Sequence, residues 1–396
     1  MNRQAHEGVS CAPHNLYIQE EWHDPHISFE RIHEVSAPAK SEFQVLRPIF
    51  ARQAIRRPLP KRVIGPTSGD VDELLKHYTD INNRYTSSSP SYLVRIETAI
   101  IWKNMIFVQS NNEISPLYEN FRIIDRQEKG TALAEQLKSK TIHAIEDSVS
   151  QVVFFGSVGS FNYGHWLVDD LSRHAGLEFI DRPTICIFSQ MSEAIDAVRQ
   201  EGMVLAAGSR PCVSRFIDPD IPLRVKDLLY VTPCSLHPFL KNPHAMTYVR
   251  DLGRRSVASG LPMRRLFVNR ADRWPRRLTN AADLSAIFRS RGFTELTTEG
   301  LSLREQIEAF AQAEVVVGIM GASMTSTAFC LPGTPLLYLA PSGWHEPFFW
   351  DQAAVCNHAY HVLFGTPDAD DPHNLYQKSF SIDPQQLDAA IDALIR

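Results

Sequence analysis

The stretch QVVFFGSVGSFNYGHWLVDDLSR, residues 151–173, decides the fold of this chain. Its first five residues predict a buried strand, and the glycines within 156–160 predict a loop that opens a helix. A strand, a glycine turn and a helix N-terminus in this order are typical of α/β proteins, which bind ligands at the carboxyl ends of their parallel strands. We therefore expect this helix to face a crevice.

One face of the predicted helix carries polar groups suited to chemistry. His165, Asp169 and Arg173 are spaced by four residues, so they lie along one line, and Asn162 falls on the same arc. This face offers a proton acceptor, a group that orients it, and an anion binder. Amphipathic helices also carry charged outer faces that only meet water, and a solvated face is the alternative interpretation.

The composition favours a large soluble α/β protein. With 396 residues, 44% of them hydrophobic and 21% charged, the chain can bury more than one core. A net charge of −5 argues against a nucleic-acid partner. No apolar run approaches the roughly 18 residues of a membrane span, and we expect no secretory signal; peripheral membrane association stays open. The six scattered cysteines predict a cytoplasmic protein without a disulfide framework or a metal site.

The chain divides into four predicted regions. Residues 1–91 are rich in proline and are expected to form an irregular N-terminal extension that wraps the body. Residues 92–259 predict an N-terminal α/β lobe that opens with a hairpin. Residues 260–382 predict a C-terminal α/β lobe, and 383–396 a helix that braces the lobes. The alternation of strands and helices predicts the α/β class, with parallel sheets in two lobes around a cleft.

The second unit has its own candidate anion site. GIMGASMT, residues 318–325, follows the predicted strand 314–317 and opens the next helix. Small residues there let backbone N–H groups approach a ligand, and the helix dipole favours a negative charge. Close packing of the helix on the strand is the alternative explanation of the glycines.

Four arginines precede this turn, at 270, 273, 276 and 277. Arg270 ends a predicted strand and Arg277 lies just before a predicted helix cap at Asn280, so both are expected at the carboxyl edge of the sheet. Phosphate binding is the favoured role for these two. Arg273 and Arg276 are expected on the solvated surface.

Together these pieces resemble glycosyltransferase family 61 in order and spacing. The resemblance covers roughly residues 92–345 and rests on segments 162–173, 270–280, 302–306, 316–325 and 332–334. It implies a GT-B-type enzyme with two Rossmann-like lobes, inverting, which uses a nucleotide-sugar donor and a glycan or glycolipid acceptor, in bacteria for surface polysaccharide. The residues predicted to bind the nucleotide sugar are Asn162, Arg270, Arg277, Gly318, Gly321, Ala322, Ser323 and Thr325.

One departure from the family pattern bears on activity. The family commonly reads PHGAGLTN where this chain has IMGASMTS, so its histidine has become Met320 and its asparagine Ser326. A thioether neither carries charge nor donates to a phosphate oxygen. A catalytically degenerate protein, kept for nucleotide-sugar binding or complex assembly, is therefore the alternative function.

The predicted mechanism assigns a base and a leaving-group site. Asp169 is the candidate base, with His165 orienting it or taking the base role itself. Arg270, Arg277 and the amides after Gly318 would stabilise the departing diphosphate in place of a metal ion, and no cofactor is expected. Residues 344–346, Trp-His-Glu, are expected either to contact the nucleobase or sugar or to pack as a structural aromatic segment.

Overall fold

The computed structural model describes residues 43–65, 68–110, 113–117, 127–145, 150–257, 263–271 and 273–395. These residues form two β-sheets with helices packed on and between them. The strands are β1 (Phe43–Phe50), β2 (Arg62–Ile64), β3 (Ser91–Trp102), β4 (Met105–Ser110), β5 (Glu113–Pro116), β6 (His143–Ala144), β7 (Gln151–Phe154), β8 (Thr184–Ser189), β9 (Cys212–Ile217), β10 (Leu223–Val231), β11 (Arg264–Asn269), β12 (Phe293–Thr297), β13 (Ala313–Ile319), β14 (Pro335–Pro341), β15 (Ala359–Pro367) and β16 (Phe380–Ser381). The helices are α1 (Ser68–Arg84), α2 (Gln127–Leu137), α3 (163–179), α4 (Glu193–Ala207), α5 (Pro243–Arg254), α6 (Ala281–Ser290), α7 (Leu303–Ala311), α8 (Pro347–Val355) and α9 (Pro384–Ile395), with 3₁₀ helices at Ala322–Phe329 and Leu375–Gln377.

The first sheet is mixed rather than purely parallel. Its order is β5-β4-β3-β10-β7-β8-β9, with β1 added on β3 and β6 on β10. The neighbouring strands β10, β7, β8 and β9 are parallel. β4 pairs antiparallel with β3 on one side and with β5 on the other. The predicted hairpin is confirmed, and both turn residues, Lys103 and Asn104, have the positive φ that a tight two-residue turn needs.

The second sheet has the predicted parallel strands. Its parallel strands run in the order β12-β11-β13-β14-β15, which is 2-1-3-4-5 in chain order, and β2 and β16 pair with β15. The order reverses between β11 and β13, and ligands bind at the carboxyl ends of the strands at such a switch point. Those ends carry Arg270 and Gly321. The expected α/β class is confirmed.

Local sequence signals bound two helices of the second unit. The hydroxyl of Ser302 accepts a hydrogen bond from the Glu305 N–H, and the Glu305 carboxylate accepts one from the Ser302 N–H at 2.8 Å. This reciprocal pair is a capping box at the start of α7. Gly292, just past α6, has φ of +73°, the left-handed conformation that ends many helices and favours glycine.

One hydrophobic core connects the inner faces of the two sheets. It runs from Val153 and Phe155 of the first unit through the side chains of α3 to Met324 and Tyr338 of the second. At Gly164 in α3 an added Cβ would lie 3.0 Å from a methyl carbon of Thr325, so a larger residue would push Thr325 back by a few tenths of an ångström. The first turn of α3 is thus pressed against the glycine turn of the second unit.

Two predicted regions differ from expectation. Residues 43–90 were expected to be irregular, but they form β1 in the first sheet, β2 in the second and α1 between them. The proline-rich sequence does not predict regular structure here. The strands form because they pair with distant parts of the chain. The C-terminal helix α9 was expected to brace both lobes. Its buried residues, among them Leu387 and Ile391, instead pack in a core on the outer face of the second sheet.

Helix α3 does not continue as a regular α-helix. It starts as one α-helical turn at Tyr163–His165, widens into a π-helical turn at Trp166–Asp170, and ends as a 3₁₀ helix at Leu171–Phe179. Single π turns inside helices occur frequently at functional sites. The wide turn spans the segment that contains Asp169.

Candidate functional site

A histidine–aspartate pair lies on the first two turns of α3. His165 Nδ1 is 3.5 Å from Asp169 Oδ2, and the other carboxylate oxygen accepts a hydrogen bond from the Ser235 hydroxyl. The Asp169 side chain is 3% exposed and that of His165 is 13% exposed. The His165 ring contacts the edge of the His237 ring, with centroids 4.5 Å apart. The pair is therefore held from two sides, and the histidine is its more exposed member.

Arg173 does not join this pair as the predicted anion binder. Its guanidinium donates to the carbonyls of Val231 at 2.7 Å and Gly156 at 3.2 Å, and lies 3.5 Å from Asp170. Because α3 changes from π to 3₁₀ geometry between residues 169 and 173, the expected line of three side chains is broken. Burial raises the pKa of Asp170 to about 6, while Arg173 opposes that rise. Asp170 and Arg173 thus form a buried pair under the glycine loop.

Two arginines of the second unit converge on Gly321. A Cβ at Gly321 would overlap Arg270 Nη1 and would lie 3.2 Å from Arg276 Nη1, so the absent side chain makes room for both guanidinium groups. Arg270 Nε is buried with no hydrogen-bond partner among the described residues. Burial and then the charge of Arg270 lower the pKa of Arg276 to about 9. Crowded, desolvated like charges of this kind favour a bound anion.

Arg276 replaces Arg277 as the second member of this arginine pair. Arg276 was expected on the solvated surface, but its Nη1 donates to the Met320 carbonyl and its Nε to the Tyr376 carbonyl at 2.5 Å. The guanidinium also lies over the Trp344 ring, 4.2 Å from the centroid. Arg277 is exposed, and its backbone pairs with the strand at Phe380. The φ of Arg276, +63°, is a strained value for a non-glycine residue.

The other predicted donor-binding residues have mixed surroundings. Gly318 lies inside β13, where a Cβ would overlap the sulfur of Met324. Thr325 is buried, and its hydroxyl donates to the Ala322 carbonyl at 2.5 Å. Ser323 is partly exposed and accepts a hydrogen bond from Thr298 at 2.6 Å. Gly318 and Thr325 thus make close packing and local contacts, and donor binding at these positions stays a prediction.

Asn162, predicted to touch the donor, caps α3. Its side-chain oxygen accepts a hydrogen bond from the Gly164 N–H at 2.9 Å. The side chain thereby fixes the start of the helix that carries His165. It is only partly buried, so a contact with a ligand stays a prediction.

Met320 lies with its side chain away from the arginine pair. It is 1% exposed and belongs to the core between the two sheets, while its carbonyl faces Arg276. The residue that departs from the family pattern thus presents backbone, not side chain, to the site.

Glu346 links the two halves of the site electrostatically. Its carboxylate accepts a hydrogen bond from the Phe348 N–H at 3.0 Å at the start of α8. Burial raises the pKa of Glu346, and Phe348, Lys241, Arg276 and His165 oppose that rise. The carboxylate is therefore close enough to both Arg276 and His165 to feel their charges. The segment 344–346 also places Trp344 under Arg276.

A buried ion cluster supports this centre from below. The Asp351 carboxylate forms ion pairs with Arg57 Nε at 2.5 Å and with Lys241 Nζ at 3.2 Å. All three side chains are at most 2% exposed. The Lys241 ammonium also lies over the Phe348 ring, 3.8 Å from the centroid, and that ring packs beside His165. Arg57 comes from the segment that was expected to be irregular.

Sequence reasoning missed Ser235, His237, Lys241 and Arg57 as parts of this region. The first three follow β10, a parallel strand of the first sheet, so their position after a carboxyl strand end was a usable signal. Arg57 gave no local signal.

Within the described residues, no group of three or more His, Cys, Asp or Glu side chains is placed to hold a metal ion. The same residues include no helix with the length and apolar character of a membrane span.

Comparison with known proteins identifies the region that holds this site. Residues 163–337 match the family model described as Glycosyltransferase 61. No curated protein matches the chain. The matched segment begins at the first residue of α3 and ends in β14, so it contains the His165–Asp169 pair and the arginine pair but not Glu346.

Proposed function

Because the chain belongs to glycosyltransferase family 61 and is a glycosyltransferase, we propose that it moves a sugar from a nucleotide sugar to a glycan or glycolipid acceptor with inversion. The observation that carries this proposal is the contact between the two units. α3, with the His165–Asp169 pair, touches the turn on which Arg270 and Arg276 converge. A proton acceptor and an anion site then lie on either side of one reaction centre.

His165 is the proposed base, and Asp169 orients it. Asp169 is buried behind the histidine, and its two oxygens face Ser235 and His165. A base must reach the proton that it removes, and His165 is the more exposed of the two. With Nδ1 turned to the carboxylate, the opposite ring nitrogen points away from Asp169 and accepts the proton of the acceptor hydroxyl. The carboxylate stabilises the imidazolium that forms.

The arginine pair would stabilise the leaving group. As the bond from the anomeric carbon to the diphosphate breaks, negative charge develops on the diphosphate oxygens. Two preorganised guanidinium groups in a desolvated turn stabilise that charge without further rearrangement. This supplies the role that a metal ion plays in metal-dependent transfer, so the proposed reaction is metal-independent. A single base facing a single leaving group is the arrangement that one inverting displacement needs.

The cellular setting is proposed more broadly. The family resemblance supports a GT-B-type arrangement and a role in surface polysaccharide biosynthesis. The five described cysteines are all free thiols, which supports a reducing cytoplasm. The alternative, a degenerate binding protein, is not favoured, because the side chain that departs from the family pattern, Met320, lies in the core and not in the site.

The test is to measure nucleoside diphosphate release from nucleotide sugars with and without glycan acceptors. His165→Ala should lower the transfer rate by about 10²- to 10⁴-fold while leaving donor affinity intact, as removal of a general base does. Asp169→Asn should have a smaller effect. His143→Ala, at an exposed histidine in β6, is the control and should transfer normally. Full activity in His165→Ala would contradict the assignment, and loss confined to Asp169→Asn would make the aspartate the base.

A further inference from the structure

A second carboxylate lies at the carboxyl edge of the second sheet, beside the arginine pair. β12 pairs with β11 so that Thr297 is opposite Asn269. Glu299 lies in the loop after β12, and Arg270 directly follows β11. On the other side of β11, β13 leads into the Gly321 turn. Arg270 therefore stands between the loop with Glu299 and the turn at Gly321.

Glu299 presents an oxygen that the protein leaves without a partner. One carboxylate oxygen accepts the Ala271 N–H at 3.4 Å, and the other, Oε2, is buried with no hydrogen-bond partner among the described residues. The Nε of the neighbouring Arg270 is likewise buried and has no hydrogen-bond partner among the described residues. A buried charged atom that makes no hydrogen bond is costly, and such atoms in a native site point to a missing ligand.

The charge of Glu299 opposes the fall that burial causes in the pKa of Arg270, so the two side chains lie near each other. Their unpartnered atoms together suit a ligand with two kinds of chemistry. Arg270 calls for an anion, whereas a carboxylate oxygen accepts only hydrogen bonds and so calls for a donor such as a hydroxyl. The nearby hydroxyls of Thr298 and Ser323 are bonded to each other at 2.6 Å, so they do not fill this need. In a nucleoside diphosphate, the ribose hydroxyls and the diphosphate are joined through one sugar ring, which brings both kinds of group side by side.

We infer that Glu299 binds the 2′- and 3′-hydroxyls of the ribose of the donor nucleotide while Arg270 holds the diphosphate. This inference rests on the proposed donor site at the arginine pair. One carboxylate accepts from two neighbouring hydroxyls at once, and a site built for a hydroxyl discriminates against an analogue that lacks it. The chain should therefore prefer ribonucleotides to 2′-deoxyribonucleotides, including thymidine diphosphate.

The experiment measures dissociation constants of the purified full chain for UDP, GDP, CDP and ADP, for their 2′-deoxy counterparts and for inorganic pyrophosphate. For the nucleotide that binds best, the wild-type protein should bind the ribose form about 10- to 100-fold more tightly than the deoxy form, as expected for a lost hydrogen bond to a charged group. Glu299→Gln should reduce that ratio at least severalfold and leave pyrophosphate affinity nearly unchanged. Glu295→Gln, at an exposed carboxylate in β12, the strand that precedes Glu299, should behave as wild type. Thermal unfolding of each variant reports whether it is folded.

The outcomes separate this inference from the proposed function. Equal binding of ribose and deoxyribose forms, with affinity that still depends on Arg270, overturns the role of Glu299 and leaves the donor site standing. A Glu299→Gln variant that loses affinity for nucleotide sugars but not for nucleoside diphosphates also overturns it, because the carboxylate then binds the transferred sugar. If folded wild-type protein binds none of these compounds, both the inference and the proposed donor site fail.

Discussion

Substitution of Gly321 by alanine should separate binding from folding. The φ of Gly321 is 169°, an extended value that any residue adopts, so the backbone tolerates a side chain. The new methyl group would overlap the Arg270 guanidinium, which must withdraw by roughly 1 Å to reach ordinary van der Waals distance. Because the end of an arginine side chain is flexible, the free energy of unfolding should change by less than about 1 kcal/mol.

The displacement of the Arg270 guanidinium should instead weaken the binding of the nucleoside diphosphate. A guanidinium moved by this amount loses about one charge-assisted hydrogen bond to phosphate, worth about 1.5–3 kcal/mol, so nucleoside diphosphate affinity should fall about 10- to 100-fold. Isothermal titration calorimetry measures the affinity, and chemical denaturation measures the stability. Gly318→Ala is the matched control, since its methyl group would overlap the buried sulfur of Met324 and should destabilise the fold. Wild-type affinity in Gly321→Ala would refute the placement of phosphate on this turn.

Two further predictions concern the core. Met320→His should lower the free energy of unfolding by about 1–3 kcal/mol at pH 8, because it buries an imidazole without a partner. Met320→Leu, the control, should change the free energy of unfolding by less than about 1.5 kcal/mol. Equal stability of both variants would contradict the core position of this side chain. Burial lowers the pKa of His174 to about 3 from an ordinary value of 6.5, so the unfolded chain takes up the proton first, and the stability this histidine contributes above pH 6.5 is lost as the pH falls toward 3. Between pH 7 and 5.5, urea denaturation should show a loss of stability that is about 1 kcal/mol smaller in His174→Gln than in wild type, and identical losses would count against a buried neutral histidine.

The elements of the second unit could be predicted from sequence because their signals are local. The capping box at Ser302, the glycine at 292 and the apolar runs of β11 to β14 each lie within a few residues. The strand β2 could not be predicted, since three residues pair with β15 almost 300 positions later. Pairing between distant segments leaves little trace in either segment alone.

The site was predictable in outline but not in its partners. Helical spacing brought His165 and Asp169 together, and a glycine after a strand marked the turn at 321. The choice between Arg276 and Arg277 depended on contacts with Met320 and Gly321, which lie more than 40 positions later in the sequence. The orienting role proposed for Asp169 rests on its burial against Ser235, a contact across 66 positions of sequence. Such long-range contacts cannot be deduced from residue type.

The adjacent arginines 276 and 277 provide the most direct test of where the donor binds. Arg276→Gln and Arg277→Gln remove the same charge from neighbouring positions, so the net charge and the long-range field change almost equally. Titration of a nucleoside diphosphate into each variant should show a loss of affinity of about 10- to 100-fold for Arg276→Gln, since a hydrogen bond to a charged group is worth about 1.5–3 kcal/mol, and nearly wild-type affinity for Arg277→Gln. The reverse order, or equal losses in both variants, would contradict an anion site built from Arg270 and Arg276 on Gly321.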